Sequence, residues 1–229
     1  RGYSLLSPTL LAMLVGLAMP LIVLLTLSFW IQEYLDFIQT FSLKNYLDFF
    51  QKPIYTKILF KSIRMSGMVT IVTVLLAYPM AYYIAFRVKQ NKLIWLILIT
   101  VPFWTSYLLR VFAWKIMLGY NGVINSGLKT LGILSEPLEF LLYNPTAVVI
   151  TLAHAWAAFA ILPIYVSLEK IDRSLLEASR DLGENTFMTF MRVTLPLSLP
   201  GVIAASLLVF IPTVGDYVTP SLVGGPRGI

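Results

Sequence analysis

The chain has 229 residues, of which 58% are hydrophobic and 12% charged, with a mean hydropathy of +0.81. Soluble chains carry about 25% charged residues, so this composition excludes an ordinary soluble domain. The net charge of +6 comes without a basic patch interleaved with aromatic residues, so attraction to anionic lipid headgroups explains it more simply than a nucleic-acid partner. The lack of cysteine excludes a disulfide framework and a thiolate metal site.

Long uncharged runs indicate how often the chain crosses a membrane. A bilayer core of about 30 Å requires about 20 apolar residues in a helix. The runs are continuous rather than alternating, which favours helices. We therefore predict an all-α, multi-pass membrane protein that forms a single domain, 1–229, with five transmembrane helices at about 10–31, 65–86, 93–112, 146–168 and 196–215.

The segments between the spans are taken in chain order. Arg1 is not a methionine, and we expect the chain to be a fragment whose first run is a membrane anchor rather than a secretory signal. Residues 32–61 are mixed and aromatic, which predicts an interfacial loop. A basic turn, 87–92, follows the second span, and the loop that ends at Glu139 is predicted to lie against the membrane. His154 stands alone in the fourth span, where we expect a hydrogen bond between helices.

A charged segment, 174–196, lies between the last two spans and is predicted to form two short helices. Ser174 and Glu177 have the spacing of a capping box. Gly183 stands where a helix end favours a residue with positive φ. Asn185 or the threonine after it can cap the second helix, before the proline at its end interrupts the pattern. The first helix has one apolar face, formed by Leu168, Ile171, Leu175, Ala178 and Leu182.

This segment resembles the EAA–Gly–I-x-L-P loop of ABC importer permease subunits. The matching residues are Glu177-Ala178-Ser179, then Gly183, nine residues, and Val193-Thr194-Leu195-Pro196, with Ser179 and Val193 as the departures. The resemblance implies the type I fold of binding-protein-dependent importers, with six spans, so a C-terminal helix is expected to be missing here. It also implies a cytoplasmic coupling loop, 169–195, which contacts an ATPase through Glu177, Ala178, Ser179, Gly183, Leu195 and Pro196.

The resemblance implies an assembly as well as a fold. The implied partners are a cytoplasmic ABC ATPase dimer, a second permease subunit and an extracytoplasmic solute-binding protein, besides membrane lipid. ATP would be bound by the ATPase, so no cofactor and no metal are expected in this chain. The implied location is the bacterial inner membrane. Lysine and arginine counts on the two sides, eight against nine, do not decide the orientation, so the cytoplasmic side of the loop is also an implication of the resemblance.

Two shorter motifs resemble spermidine/putrescine permease subunits. They are residues 101–106 with Leu109-Arg110, and residues 210–217 with Gly224-Gly225-Pro226. This resemblance implies that the solute is a polyamine or a related organic cation, and that the substrate pathway includes Asp216, Tyr217, Trp104 and Tyr107. A carboxylate supplies a counter-charge to an amine, and aromatic faces attract a cation by about 0.5–2 kcal/mol. The alternative is that Asp216 has reached the outer headgroups or pairs with Arg110.

Several other functions are weighed on the same residues. H-E-x-x-H, G-x-S-x-G and Walker A patterns are absent, and Asp216 has no second acid in a neighbouring span, so we predict that the chain is not an enzyme. The helix–glycine–helix pattern also resembles a DNA-binding helix-turn-helix, and the charges could form a solvated face without a partner. A permease for a different small solute, a secondary transporter and a channel remain alternatives, although no internal repeat typical of secondary transporters is seen.

Overall fold

A computed structural model describes residues 2–33, 36–138, 141 and 143–225. Helices dominate this part of the chain. Two short strands, Ile31–Glu33 (β1) and Asp36–Ile38 (β2), form an antiparallel hairpin. The all-α prediction is therefore confirmed apart from this hairpin. Arg1, the predicted loop end at Glu139 and the motif residue Pro226 lie outside the described residues.

Ten α-helices, two π-helical segments and one 3₁₀ turn can be assigned within the described ranges. The α-helices are α1 Gly2–Phe29, α2 Lys44–Gln51, α3 Pro53–Phe86, α4 Lys92–Thr100, α5 Tyr107–Leu118, α6 Val123–Thr130, α7 Pro145–Glu169, α8 Arg173–Asp181, α9 Thr186–Thr189 and α10 Leu195–Val214. The 3₁₀ turn Val101–Trp104 continues α4. The first π segment is Phe190–Thr194, and the second is Pro220–Gly224, where the sequence predicts a loop.

Four helical stretches of the described chain are long and apolar enough to cross a membrane. They are Leu6–Phe29, Pro53–Phe86, Pro145–Glu169 and Thr186–Val214. The second begins well before the predicted start at residue 65, because α3 also includes residues 53–61 of the predicted interfacial loop. The predicted start lies directly after basic residues, because the sequence predicts the span as an uncharged run. A lysine or arginine near the end of a span extends its charged group to the interface, however, and does not end the helix.

The predicted third span, 93–112, is not one continuous helix. Lys92–Trp104 and Tyr107–Thr130 form a pair bent by 86°, which makes either one broken span or a re-entrant loop. Pro102 lacks the N–H that a continuing helix requires. The chain tightens into the 3₁₀ turn and then becomes extended at Thr105, with ψ of 152°. The hydroxyl of Thr105 donates to the carbonyl of Pro102 at 2.7 Å, which satisfies one backbone group at the break.

The chain divides into two compact units, Arg1–Lys61 and Ser62–Ile229. The division falls inside α3, which has 34 residues. A helix of that length extends over about 51 Å, so its two ends have different neighbours.

In the first unit, α2 is attached to the end of α1 by polar and aromatic contacts. Asn45 Nδ2 donates to the carbonyls of Ser28 and Trp30 at 2.9 and 2.8 Å. The rings of Phe29 and Phe41 stack with centroids 4.4 Å apart. These contacts satisfy carbonyls at the C-terminal end of α1, where a helix has no internal donors for them.

The core of the second unit lies between α7 and α10. A Cβ added at Gly201 would lie 2.4 Å from Ser167 Cβ and 2.6 Å from Pro163 O, so only glycine allows this approach of the two helices. Small residues at a helix interface permit close packing of this kind. Tyr78 OH and Ser198 Oγ are 2.8 Å apart, which links α3 to α10. The almost fully buried apolar residues of these two helices include Leu152, Ile161, Ile164, Leu168, Ala205 and Val209.

His154 has an aromatic neighbour. Its ring lies against Trp114 of α5, with centroids 5.4 Å apart and planes at 65°. Within the described chain its side chain has no hydrogen-bond partner. The predicted hydrogen bond between helices is therefore replaced by a contact between rings.

Candidate functional site

The candidate coupling loop begins with α8, whose cap differs from the predicted one. Asp172, not Ser174, is the N-cap residue, and its carboxylate accepts from the Ser174 N–H at 3.0 Å. This hydrogen bond lowers the pKa of Asp172 below its usual value. The cap therefore stabilises α8 above the ordinary pKa of an aspartate and is lost as the pH falls through the lowered one. The capping-box prediction is wrong because aspartate competes well for this position and stands two residues earlier.

Gly183 ends α8 in the conformation that the sequence predicts. Its φ is +86°, in the region where residues with a Cβ are strained. The Gly183 N–H donates to the Arg180 carbonyl at 2.9 Å, and the Glu184 N–H donates to the Ser179 carbonyl at 3.2 Å. These bonds close the C-terminal end of the helix. Asn185 then caps α9, because its side chain accepts from the Met188 N–H at 2.8 Å, as one of the two predicted alternatives requires.

The two helices of the loop are joined by a pair of buried hydroxyls. Ser179 Oγ and Thr189 Oγ1 lie 3.0 Å apart, and both residues are buried. Ser179 is the position at which this chain departs from the alanine of the EAA pattern. The hydroxyl therefore has a local structural use here, which sequence comparison alone does not indicate. Arg192 and Glu184 form an ion pair that also connects the two halves of the loop.

The loop leads into α10 without a break. The prediction that Pro196 interrupts the second helix is wrong, since the first π segment carries the chain from α9 into α10, which begins at Leu195. Pro196 has no N–H to donate to the Arg192 carbonyl. A wider π turn accommodates the missing bond and keeps the helix continuous.

The outer surface of the loop is more apolar than its charge suggests. Leu182 is 84% exposed and Phe187 is 64% exposed, and Leu175 and Met191 are also exposed. Of the predicted apolar face, only Leu168 and Ile171 are buried. Glu177 and Ala178 lie on the exposed part of α8. Exposed apolar side chains around a carboxylate are typical of a surface that another protein covers.

Several charged residues at the base of the loop are brought together from distant parts of the chain. Lys92 Nζ lies 2.6 and 2.8 Å from the two carboxylate oxygens of Glu169. Lys92 and Arg173 both donate to the carbonyl of Ala85, at 3.0 and 2.7 Å. The sequence analysis did not single out these contacts. The partners are 77 and 88 residues apart, so no local spacing connects them.

The candidate substrate site is a cavity of about 390 Å³ between α5, α7 and the end of α10. Rings from two parts of the chain line it, together with one cation and one carboxylate. The lining includes Phe103, Tyr107, Arg110, Trp156, Phe159 and Asp216. Among the described residues no cluster of His, Asp and Glu that could hold a metal ion is found.

Two of the four predicted pathway residues lie outside this cavity. Tyr107 and Asp216 line it, whereas Trp104 is 87% exposed and Tyr217 is 79% exposed. Successive residues of a 3₁₀ turn point about 120° apart, so Phe103 rather than Trp104 faces the cavity.

Trp156 and Phe159 come from α7, which the second resemblance does not include. An uncharged span rich in aromatic residues is the only signal for them in the sequence.

The carboxylate of Asp216 is held by three donors. Tyr107 OH donates to Oδ2 across 109 residues of sequence. The Val218 N–H donates to Oδ1 at 2.9 Å, and the Thr219 N–H approaches the same atom at 3.3 Å. Asp216 therefore caps the helical turn that follows it. A carboxylate has about four lone-pair sites, so these donors leave room for a further one from the cavity.

Arg110 lies in the same cavity, but no ion pair with Asp216 is found among the described residues. Its Nη1 donates to the Ala155 carbonyl at 3.1 Å, and its guanidinium lies over the Phe103 ring, 4.7 Å from the centroid. Arg110 Nε and Trp156 Nε1 are buried without a hydrogen-bond partner in the described chain. Two residues of the cavity lining therefore each have a buried donor without a partner in the described chain.

Long apolar helices, a charged two-helix loop and a cavity with one carboxylate define a membrane permease subunit. The chain belongs to the family of binding-protein-dependent transport system inner membrane components, whose model matches residues 9–229. It is therefore a multi-pass inner-membrane permease subunit of an ABC importer, as the sequence resemblance implies.

Individual relatives agree with this family. The chain is 39% identical over 209 residues to the spermidine/putrescine transport system permease protein PotB of Haemophilus influenzae, covering 91% of this chain and 72% of that protein. It is 35% identical over 212 residues to PotB of Escherichia coli, with 92% and 76% covered. Among solved structures, a chain of a bacterial alginate ABC transporter, crystallised with an alginate pentasaccharide-bound periplasmic protein, matches with a TM-score of 0.70. At 18% identity, over 96% of this chain and 79% of that one, this match shows the fold.

Proposed function

We propose that this permease subunit passes a polyamine or a related organic cation across the inner membrane. The similarity to spermidine/putrescine permeases over 91% and 92% of the chain carries the proposal. The cavity supports it, because Asp216 supplies a counter-charge to a protonated amine. The rings of Tyr107, Trp156 and Phe159 add aromatic faces that attract a cation by about 0.5–2 kcal/mol.

The charge of Arg110 decides which part of the cavity an amine can use. The guanidinium already covers the Phe103 ring, and like charges repel, so a solute amine is left with the Asp216 side of the cavity. Asp216 then balances two cations rather than one. Removing its charge would leave the solute amine and Arg110 facing each other without a counter-charge in a poorly solvated space.

The loop 169–195 is the proposed contact with the ATPase. Glu177 and Ala178 lie on its exposed surface, and Ser179 and Gly183 hold its shape. Leu195 and Pro196 join it to α10. When the ATPase dimer closes, the loop moves and changes the balance between inward- and outward-open forms. ATP drives this change only if the ATPase contacts differ between the two forms, since equal affinity would shift nothing.

The remaining partners follow from the same proposal. A solute-binding protein delivers the solute on the outer side, and a second permease subunit completes the path. Lipid or that second subunit covers the apolar side chains of α1, whose spanning window has none of its residues buried within this chain. ATP is bound and hydrolysed by the ATPase dimer, so this chain transports the solute without being an enzyme and holds no cofactor of its own.

The substitution Asp216→Asn tests the solute assignment. Asparagine retains an acceptor for the Val218 N–H and removes the charge. In proteoliposomes that contain the complete transporter, we expect uptake of spermidine to fall at least tenfold, because the amine loses its counter-charge. Membrane insertion and basal ATP hydrolysis should stay at the parent level.

The matched control is Asp48→Asn, which removes a carboxylate of the first unit that pairs with Lys52 on the surface. Surface pairs of this kind contribute about 0–1 kcal/mol, so uptake by the control should not change. Parent-level uptake by the Asp216→Asn transporter would mean that Asp216 only caps its helical turn. The cation assignment would then lose its structural support.

A further inference from the structure

We infer that Lys92 and Arg173 form a clamp that fastens the coupling helix α8 to the ends of α3 and α4, so that movement of the loop reaches the solute cavity. The clamp consists of these two side chains with Ala85, Phe86 and Glu169. The inference rests on the proposed role of the loop 169–195 as the ATPase contact. It assigns positioning residues that lie outside the EAA motif.

The carbonyl of Ala85 is the common point of the clamp. It belongs to the last turn of α3, where carbonyls have no donor from their own helix. Lys92 Nζ and Arg173 Nη2 both donate to it, at 3.0 and 2.7 Å. Two cations at the C-terminal end of a helix also interact favourably with its dipole. The bonds of the clamp are therefore charge-assisted and stronger than neutral ones.

Each cation makes a second contact that holds it in place. The guanidinium of Arg173 lies over the Phe86 ring, 4.5 Å from the centroid. The ammonium of Lys92 bridges both oxygens of Glu169, the last residue of α7. Four helices, α3, α4, α7 and α8, are thereby joined at one point.

The clamp leads to the cavity through α4. Lys92 is the first residue of α4, and the 3₁₀ turn that continues this helix carries Phe103 into the cavity wall. Phe103 supports the guanidinium of Arg110, which lies beside the solute space. A short, rigid helix therefore connects the base of the loop with the residues that face the solute. A shift of α8 that pulls on Ala85 and Lys92 moves this helix as one body.

The turn between α3 and α4 contains matched controls. Arg87 and Lys89 are exposed, lie within a few residues of Ala85, and have no side-chain hydrogen bond in the described part of the chain. Arg87→Gln and Lys89→Gln therefore remove one arginine and one lysine charge close to the clamp, as Arg173→Gln and Lys92→Gln do within it, but they leave the clamp intact. Any effect of general surface charge, including attraction to anionic lipid, appears equally in the controls.

The test measures uptake per ATP hydrolysed by the complete transporter in proteoliposomes. For Arg173→Gln and Lys92→Gln we expect normal co-purification of the ATPase and near-normal ATP hydrolysis, with uptake per ATP reduced about tenfold. The double variant should be no worse than either single one, because both act through one point. Arg173→Lys keeps the charge and one donor and should recover part of the loss. Arg87→Gln and Lys89→Gln should match the parent.

Two results separate failure of the clamp from failure of the loop assignment. If Gly183→Val uncouples transport while Arg173→Gln and Lys92→Gln keep the parent ratio of uptake to ATP, the clamp is refuted and the loop assignment stands. If Gly183→Val also keeps the parent ratio, the loop is not the coupling contact and the clamp is refuted with it. If the glutamine variants fail to insert in the membrane, Arg173→Lys decides the question. An Arg173→Lys transporter that inserts and keeps part or all of the parent uptake per ATP supports the clamp. An Arg173→Lys transporter that inserts but shows uptake per ATP reduced about tenfold or more contradicts it.

Discussion

Gly183 and Ser179 show how two residues hold the shape of the proposed coupling loop. Gly183 reverses the chain after α8 with a φ of +86°, and no other atom lies within 4 Å of the place where its Cβ would be. Its requirement for glycine therefore comes from the conformation of its own backbone and not from crowding by other residues. Ser179 acts through its side chain instead. Its buried hydroxyl contacts that of Thr189 and joins the two helices on either side of the turn.

The substitution Gly183→Val tests the turn. A β-branched residue at positive φ costs about 1–2 kcal/mol or more, because its Cβ approaches the following carbonyl. We expect the variant to insert in the membrane but to lose solute-stimulated ATP hydrolysis. Gly127→Val is the control, since Gly127 lies in α6 with open space around it and without a positive φ. Normal stimulated hydrolysis by the Gly183→Val transporter would contradict the role of the turn.

Local residues of the loop could be predicted, and distant contacts could not. Gly183 and Asn185 act on groups within a few positions of themselves, so spacing along the chain indicates their roles. The bond from Tyr107 to Asp216 joins residues 109 positions apart, and it depends on how α5 packs beside the end of α10. Whether Phe103 or Trp104 faces the cavity depends on the rotation of one 3₁₀ turn, and neither residue specifies that rotation by itself.

Among the elements, the prolines have different effects in different helices. Pro79, Pro163 and Pro200 lie inside helices that continue past them, whereas Pro102 is followed by a break. Neighbouring helices and hydroxyl groups can satisfy the carbonyl that a proline leaves free, so the element continues where such partners are present. After Pro102 the chain becomes extended at Thr105, whose hydroxyl donates to the carbonyl of Pro102 itself and not to the carbonyl that this proline leaves free. Sequence indicates the prolines but not these partners.

α8 leaves Glu177 exposed rather than directing it to its own N-terminus. Since Asp172 is the cap, Glu177 has no capping role to fulfil, and its side chain is exposed beside Ala178. The exposed apolar residues of the loop surround it, with Leu182 as the most exposed. This arrangement favours a charged contact with the ATPase over a structural use within the helix.

Glu177→Gln is expected to weaken this contact. The change keeps the size of the side chain and one acceptor oxygen, and it replaces the charged carboxylate with a neutral amide. We expect less ATPase to co-purify with the variant, and raising the salt concentration should weaken the parent complex in the same way, because salt screens exposed charges. Parent-level co-purification at every salt concentration would show that the carboxylate does not contribute to docking.

At the scale of the whole molecule, the proposed coupling loop and the proposed solute cavity lie on connected elements of the second unit. The loop continues through the first π segment into α10, and Asp216 follows the end of that helix. The clamp provides a second connection through α4 to Phe103. Both walls of the cavity are therefore linked to the surface that the ATPase is proposed to contact. Packed helices of this kind move as bodies between discrete arrangements, as alternating access requires.

The most direct test of this account is the uptake of labelled spermidine by proteoliposomes that contain this chain with its permease partner, its ATPase and its solute-binding protein. The account predicts uptake that requires both ATP and the binding protein. Unlabelled putrescine should compete with spermidine, and an ω-amino acid of similar length should not, because its carboxylate would be repelled by Asp216. Uptake of the amino acid with no uptake of either polyamine, or spermidine uptake that persists without ATP, would contradict the account.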